Sequence, residues 1–405
     1  DAPRGDGYGG RVAPPTHSAA ADPRRPGRTA LGWVAAIGCW AAALAFFWWQ
    51  SGIWASASLD VGIYREAAAD LLAGGDVYDG SYGATGLPFT YPPFGLLLLV
   101  PLAVIPQAAA GAVMFAGSAA ALVGCLRLAG QYAWPGRFLP WWAATVAAAF
   151  VAVVVEPVRV TLGLGQINLL ILVVILALDA GARQRVRGIG AGVGAAVKVT
   201  PALLVAAQLG RGDLRAFLRG VAAFAACTLV AALVLPAATG RYFTGLLWES
   251  DRPGTLAYAG NQSLRGMVER IVPGLTAAWL MTVVAVLALA AVGVHRHRSD
   301  PWLALTVAAV AGLLISPVSW SHHWVWVLPV AAVSARYWRR RPWLAWSGVV
   351  LVAATSLLTG PAVGLDYSWL AALWAPAGEN AYVLAALVWL GAAGWRIRRT
   401  APPPP

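Results

Sequence analysis

Residues 30–49 read ALGWVAAIGCWAAALAFFWW. This run carries no charge and matches the ~20 apolar residues that a helix needs to cross ~30 Å of hydrocarbon. Arg4, Arg11, Arg24, Arg25 and Arg28 precede it. Residues 50–90 follow it with Asp60, Glu66, Asp70, Asp76 and Asp79 against a single Arg65. Arginine and lysine collect in cytoplasmic loops. The run is therefore read as a membrane span with its N-terminal side in the cytoplasm and its acidic following loop outside. A cleaved signal peptide has a shorter apolar region and a small-residue cleavage site. Trp48 and Trp49 end the run as interfacial anchors.

The rest of the chain repeats this pattern. Of 405 residues, 59% are hydrophobic and only 11% charged, and mean hydropathy is +0.67. Soluble domains carry about 25% charged residues, so a water-soluble enzyme is excluded. The net charge of +12 is nearly all arginine, Lys198 being the sole lysine. In a membrane chain this excess sets orientation rather than nucleic-acid binding. Cys39, Cys125 and Cys227 sit inside apolar runs without zinc or disulfide spacing and are read as packing residues. Residues 1–29, rich in Pro, Gly, Arg and Ala, are read as a disordered cytoplasmic tail. Residues 30–396 form the membrane domain, and 397–405 a Pro-rich cytoplasmic tail.

Charge then orders the spans. Residues 92–105 are apolar but short and proline-bearing. A crossing there would put every later basic loop on the wrong side, so the stretch is read as a re-entrant or interfacial outer helix. Spans are expected near 108–126, 138–155, 167–180, 214–236, 274–294, 302–316, 322–335, 343–359 and 380–395, with 156–168 as an outer loop. Residues 188–209 lie between two arginine-rich loops. They are read as a pair of short helices whose outward tip carries Lys198, Thr200 and Pro201. The expected architecture is all-α and polytopic, with about 12 membrane segments, external juxtamembrane helices and both termini inside. No internal repeat is visible, which gives no support to an inverted-repeat transporter.

Polar groups gather on the outward side of this topology, and ionisable groups at membrane depth are functional candidates. Asp60 lies just beyond the first span, in Ser58-Leu59-Asp60-Val61-Gly62-Ile63-Tyr64, and reads either as a general base or as a helix cap. Tyr91, ahead of Pro92-Pro93, is a ligand-positioning group or an interfacial anchor. Glu156 and Arg159 form a binding pair or tie two helix ends. Gln166 and Asn168 follow in a Gly-rich segment, and amides both donate to and accept from sugar hydroxyls. Lys198 stands alone among apolar and small residues. It suits a phosphate, or else a buried acidic partner or a headgroup. Asn261-Gln262-Ser263 reads as a glycosylation acceptor, a helix start or a ligand contact. His322 and His323 follow Ser316-Pro317-Val318-Ser319-Trp320-Ser321. Adjacent helical positions diverge, so one of the two is expected to serve a site. Metal is not expected, since paired histidines on a helix prefer i, i+4 spacing.

Taken in order, these pieces resemble a known family. Asp60 with Tyr64, Gly75 to Tyr78, Tyr91-Pro92-Pro93, Gly165 to Asn168, Lys198 with Thr200-Pro201, Gly260 to Ser263, and Ser316 to His323 are similar to the actinobacterial polyprenyl-phosphate-mannose-dependent α-1,2-mannosyltransferases, which are C-type membrane glycosyltransferases. The resemblance covers about Leu31 to Trp395, and its specificity lies in the order of the motifs. It implies a C-type glycosyltransferase fold in the bacterial plasma membrane with a periplasmic site. The donor would be a β-mannosyl phosphate on a polyprenol, and the acceptor a mannose 2-hydroxyl on a phosphatidylinositol mannoside. Transfer would be inverting and α-1,2. By the same resemblance Asp60 is the base. Lys198, His322, His323 and Arg159 compensate the leaving phosphate, and His322 joins Asp60 as catalytic. Tyr91, Glu156, Gln166, Asn168, Asn261 and Gln262 contact sugar. No metal or other cofactor is expected, in keeping with the absence of an Asp-x-Asp motif. Other readings are an α-1,2-mannosyltransferase branching lipomannan or lipoarabinomannan, an enzyme using polyprenyl-phosphoarabinose, and a glycolipid transporter without transferase activity.

Overall fold

A computed structural model describes residues 26–49, 59–181, 184–249, 252, 254–357 and 378–395. The described residues are overwhelmingly helical, with two isolated bridges, Tyr82 to Leu87 and Asn261 to Trp320. Among the described residues four helices are long and apolar enough to cross a membrane: α1 (Pro26–Trp49), α4 (Gln107–Ala133), α10 (Leu214–Val234) and α13 (Thr276–Arg296). A fifth crossing is made if α5 (Trp141–Val154) and α6 (Glu156–Leu164), bent by 89°, count as one. Shorter apolar helices complete the bundle: α7 (Asn168–Ile175), α14 (Pro301–Ile315), α15 (Val327–Tyr337), α16 (Pro342–Leu357) and α17 (Ala381–Gly394). This is the architecture of an integral membrane protein. Its long helices keep large apolar side chains exposed, such as Leu233 and Val284, where lipid rather than water is the natural neighbour.

Several expectations are met and others revised. The expected tail ends early, because residues 26–29 already belong to α1; residues 1–25 and 396–405 lie outside the described residues, as does the side chain of Trp48. Residues 93–104 form a short helix, α3 (Pro93–Leu99), followed by a 3-10 turn (Val100–Val104). Proline at its first turn suits a helix start, where a missing N–H costs nothing. Residues 188–209 form two short helices, α8 (Ile189–Val197) and α9 (Ala202–Gly210), with Lys198 to Pro201 at the turn.

The expected loop over 156–168 is mostly helix. Glycine and β-branched residues made it look irregular, yet Pro157 fits the first turn of α6 and Gly165 terminates it at φ 72°. Two short helices were not anticipated: α11 (Pro236–Thr244) and α12 (Leu264–Ile271). The helix α2 (Leu59–Leu72) carries Asp60 in its first turn.

Two apolar clusters result. The larger unites α4, α5, α7, α9 and α13 to α17, with Trp324 and Trp389 fully buried. The smaller lies over it and is aromatic, built from α2, α3 and the chain between them around Tyr64, Tyr78, Phe89 and Tyr91. At the opposite end of the bundle, buried Asp179 accepts N–H bonds from Gly188, Gly190 and Ala191 and so caps α8 from a distance.

Candidate active site

Between the two clusters lies a cavity of about 1120 Å³. Asp60, Tyr64, Tyr91, Gln166, Lys198, His322 and His323 all line it, brought from five separate stretches of sequence. Its remaining walls are largely apolar, including Leu203, Leu246, Leu247 and Ile315.

On one wall Asp60 Oδ2 accepts from Gln166 Nε2 at 2.8 Å. Gln166 Oε1 lies 3.0 Å from the Tyr64 hydroxyl and 2.8 Å from that of Tyr91, the two hydroxyls being 2.9 Å apart. Tyr78 donates to the Tyr91 carbonyl at 2.9 Å. Asp60 sits on α2, beyond the spans. Burial pushes its carboxyl up to about 6, while the Gln166 donor and the Lys198 ammonium pull it down.

In the same cavity Lys198 Nζ donates to Asn168 Oδ1 at 3.0 Å and stands 3.0 Å from His323 Nε2. It also lies over the Tyr91 ring, 5.3 Å from its centroid. Asn168 Nδ2 and Thr161 Oγ1 each donate to the His322 carbonyl at 3.0 Å, which seats the histidine pair. Both histidines line the cavity, contrary to the expectation that one would. Residues Ser321–Trp326 are a 3-10 segment with non-helical φ/ψ at Trp324, so α-helical spacing does not apply. Their rings meet edge to face at 4.7 Å.

Five other candidates, Glu156, Arg159, Asn168, Asn261 and Gln262, do not line the cavity. Glu156 is buried and accepts from the Tyr382 hydroxyl on α17. Arg159, one turn on, donates to the Val153 carbonyl at 2.8 Å and faces away. The two therefore brace the α5–α6 bend, and they are corrected from phosphate and sugar ligands to structural groups. Asn261 is fully buried and ties Leu256, Pro317 and Ser319 together. Gln262 reaches Ala259, Glu379 and Tyr382. Ser263 accepts from Gly266 N at 3.0 Å as the cap of α12, so the triplet is a helix start and not a glycosylation acceptor. Asn168 keeps its place beside the cavity but spends both amide ends on Lys198 and His322.

Tyr64 and Arg252 were missed as cavity groups. Tyr64 follows Asp60 by four residues, the helical spacing that puts both on one face, which was a readable signal. Arg252 is a basic residue on the acidic outer side, an exception to the charge bias, and holds the Tyr78 and Phe89 carbonyls at 2.9 and 3.3 Å. Among the described residues no cluster of three or more metal-ligating side chains occurs.

Comparison with known proteins bears on this geometry. The model of glycosyltransferase family 87 matches residues 89–317, which hold Tyr91, Gln166 and Lys198 but neither Asp60 nor the histidine pair. A polyprenol-phosphate-mannose-dependent α-(1-2)-phosphatidylinositol pentamannoside mannosyltransferase of Mycobacterium tuberculosis is 33% identical over 285 residues, 66% of this chain and 64% of its own length. A phosphatidylinositol mannoside mannosyltransferase of the same dependence and linkage, from another strain of that species, is 30% identical over 290 residues, 66% of this chain and 68% of its own. A pentamannoside enzyme of Mycolicibacterium smegmatis is 30% identical over 284 residues, 66% and 67% of the two chains. The matched part of the chain thus spans a little under two thirds of the first of these relatives. No solved structure matches. With more than half of its length matched by the family model, the chain belongs to glycosyltransferase family 87.

Proposed function

We propose that the chain is a mannosyltransferase that moves mannose, with inversion, from polyprenyl-phosphate β-mannose to the 2-hydroxyl of a mannose on a phosphatidylinositol mannoside, forming an α-1,2 bond. One observation carries this reading: a single cavity is lined by a carboxylate, Asp60, together with Lys198, His322 and His323, a cation and two imidazoles. The names of the relatives supply the donor and acceptor classes.

The chemistry follows from that set of groups. Asp60 takes the proton of the acceptor hydroxyl as its oxygen bonds to C1 of the donor sugar. The bond from C1 to the phosphate oxygen breaks on the opposite face, and its electron pair leaves on the phosphate. Lys198 is a compact cation suited to that developing charge, with His322 and His323 as neighbouring donors. The apolar walls from Leu246, Leu247 and Ile315 suit lipid chains entering from the bilayer. The donor arrives with its leaving group attached, so the reaction needs no further cofactor. In this reading the protein has about 12 membrane segments, lies in the plasma membrane with both termini cytoplasmic, and opens its cavity to the periplasm.

The test is incubation of purified protein with mannosyl-phospho-polyprenol and defined mannoside acceptors, with product mass and linkage read out. The expected product is one hexose heavier and α-1,2 linked. Movement of labelled lipid across liposomes with no new glycosidic bond would overturn the proposal.

A further inference from the structure

Gln166 stands out because its main chain and side chain are both fixed. Its N–H donates to the Thr161 carbonyl at 2.9 Å, and its carbonyl accepts from Ser118 at 3.2 Å. The preceding Gly165 has φ 72°, and a Cβ there would stand 2.2 Å from the Val61 side chain, so the turn depends on glycine. The side chain is buried, with two tyrosine hydroxyls at its oxygen. The Asp60 carboxylate, which only accepts, dictates which way the amide points, and the two hydroxyls hold its oxygen end. The reverse orientation would set the amide oxygen against a carboxylate oxygen and forfeit the bond to Asp60.

We infer that Gln166, held in place by Tyr64 and Tyr91, is a positioning residue for Asp60: it occupies Oδ2 and leaves Oδ1 as the oxygen that takes the proton. This rests on the reading of Asp60 as the base and departs from that of Gln166 as a sugar ligand. The neighbours that carry charge or titrate are few. Tyr64 lies on α2 itself, Tyr91 precedes α3, and Lys198, His322 and His323 line the same cavity. The 3-10 turn Val100–Val104 has no titratable residue. On α4, Arg127 and Tyr132 bond elsewhere and Cys125 lies in the larger cluster. On α6, Glu156 and Arg159 face away.

The experiment is the pH dependence of transfer by purified full-length protein, with acceptor KM read separately from kcat. Gln166→Glu replaces the donor by a second carboxylate. Its acidic limb is expected to move up by one pH unit or more, with kcat at pH 7 reduced about twofold or more and acceptor KM within about threefold. Tyr91→Phe, which removes one hydroxyl from Gln166, is expected to move the same limb in the same direction by less, and serves should Gln166→Glu fail to fold. A raised acceptor KM with the limb unmoved would mean that Gln166 binds sugar and would overturn the inference. Asp60→Asn separates the two levels. Full turnover in that variant removes the base, whereas its inactivity with an unmoved Gln166→Glu limb leaves the base and removes only the positioning role.

Discussion

At the residue scale, the proposed chemistry turns on Asp60. Asp60→Asn keeps shape and hydrogen-bonding capacity but cannot take a proton. It is expected to fold, as judged by size-exclusion profile and thermal unfolding, and to lose at least ~100-fold in transfer rate. The pH profile follows by sign. Burial holds the carboxyl near 6, and the base works only when ionised, so turnover should rise with pH through about 6 and level off above it. A profile flat from pH 5 to 8 would contradict this. Lys198→Met preserves length and removes charge, and is expected to lower kcat/KM by about 100-fold or more. Lys198→Arg should not restore it. The pocket around Nζ is sized by Asn168 and His323 at 3.0 Å each, and a planar fork does not occupy the place of a compact ammonium.

At the element scale, the site depends on how helices end. Gly165 stops α6 in the left-handed region and turns the chain so that Gln166 faces Asp60. Gly165→Ala adds both the cost of that conformation, ~1–2 kcal/mol, and a collision with Val61. Thermal unfolding should show a loss of that order or more, and transfer should fall with it. Ser263 caps α12, and Ser263→Ala should cost about 1 kcal/mol, with a smaller effect on transfer because the serine itself lies outside the cavity lining and reaches it only through the Pro317 carbonyl. Gly95 lies where α3 meets the hairpin: a Cβ there would stand 2.6 Å from the Val197 carbonyl, one residue before Lys198. The hairpin turn and the Tyr91 segment are therefore held in direct contact.

At the scale of the whole molecule, the topology is open to test. With Cys39, Cys125 and Cys227 replaced by alanine, Ser81→Cys should react in intact cells with a membrane-impermeant thiol reagent. Arg340→Cys should react only after permeabilisation. Both positions are exposed, so access depends on the side of the membrane alone. The reverse labelling would invert the assignment and put the cavity in the cytoplasm. The Arg241 pair with Asp76 and Asp79 is solvent-exposed. Its loss should change stability little, because exposed ion pairs are screened and entropically costly.

The sequence by itself determined the class of molecule, its four long apolar helices and the hairpin over 188–209. Each is a property of local hydropathy and charge, which the bilayer reads directly. It also singled out Asp60, Tyr91, Gln166, Lys198 and the histidine pair, since polar groups in an apolar chain stand out. Only the tertiary structure decided which of the polar groups share a cavity. Glu156 and Arg159 carry the same signal as Lys198, yet the bend between α5 and α6 turns them into the protein. Asn261 and Gln262 resemble sugar ligands but satisfy backbone groups of distant segments. A buried polar side chain must find a partner. Whether that partner is a substrate or a neighbouring helix depends on contacts between residues 50 to 230 positions apart, and no local pattern records them.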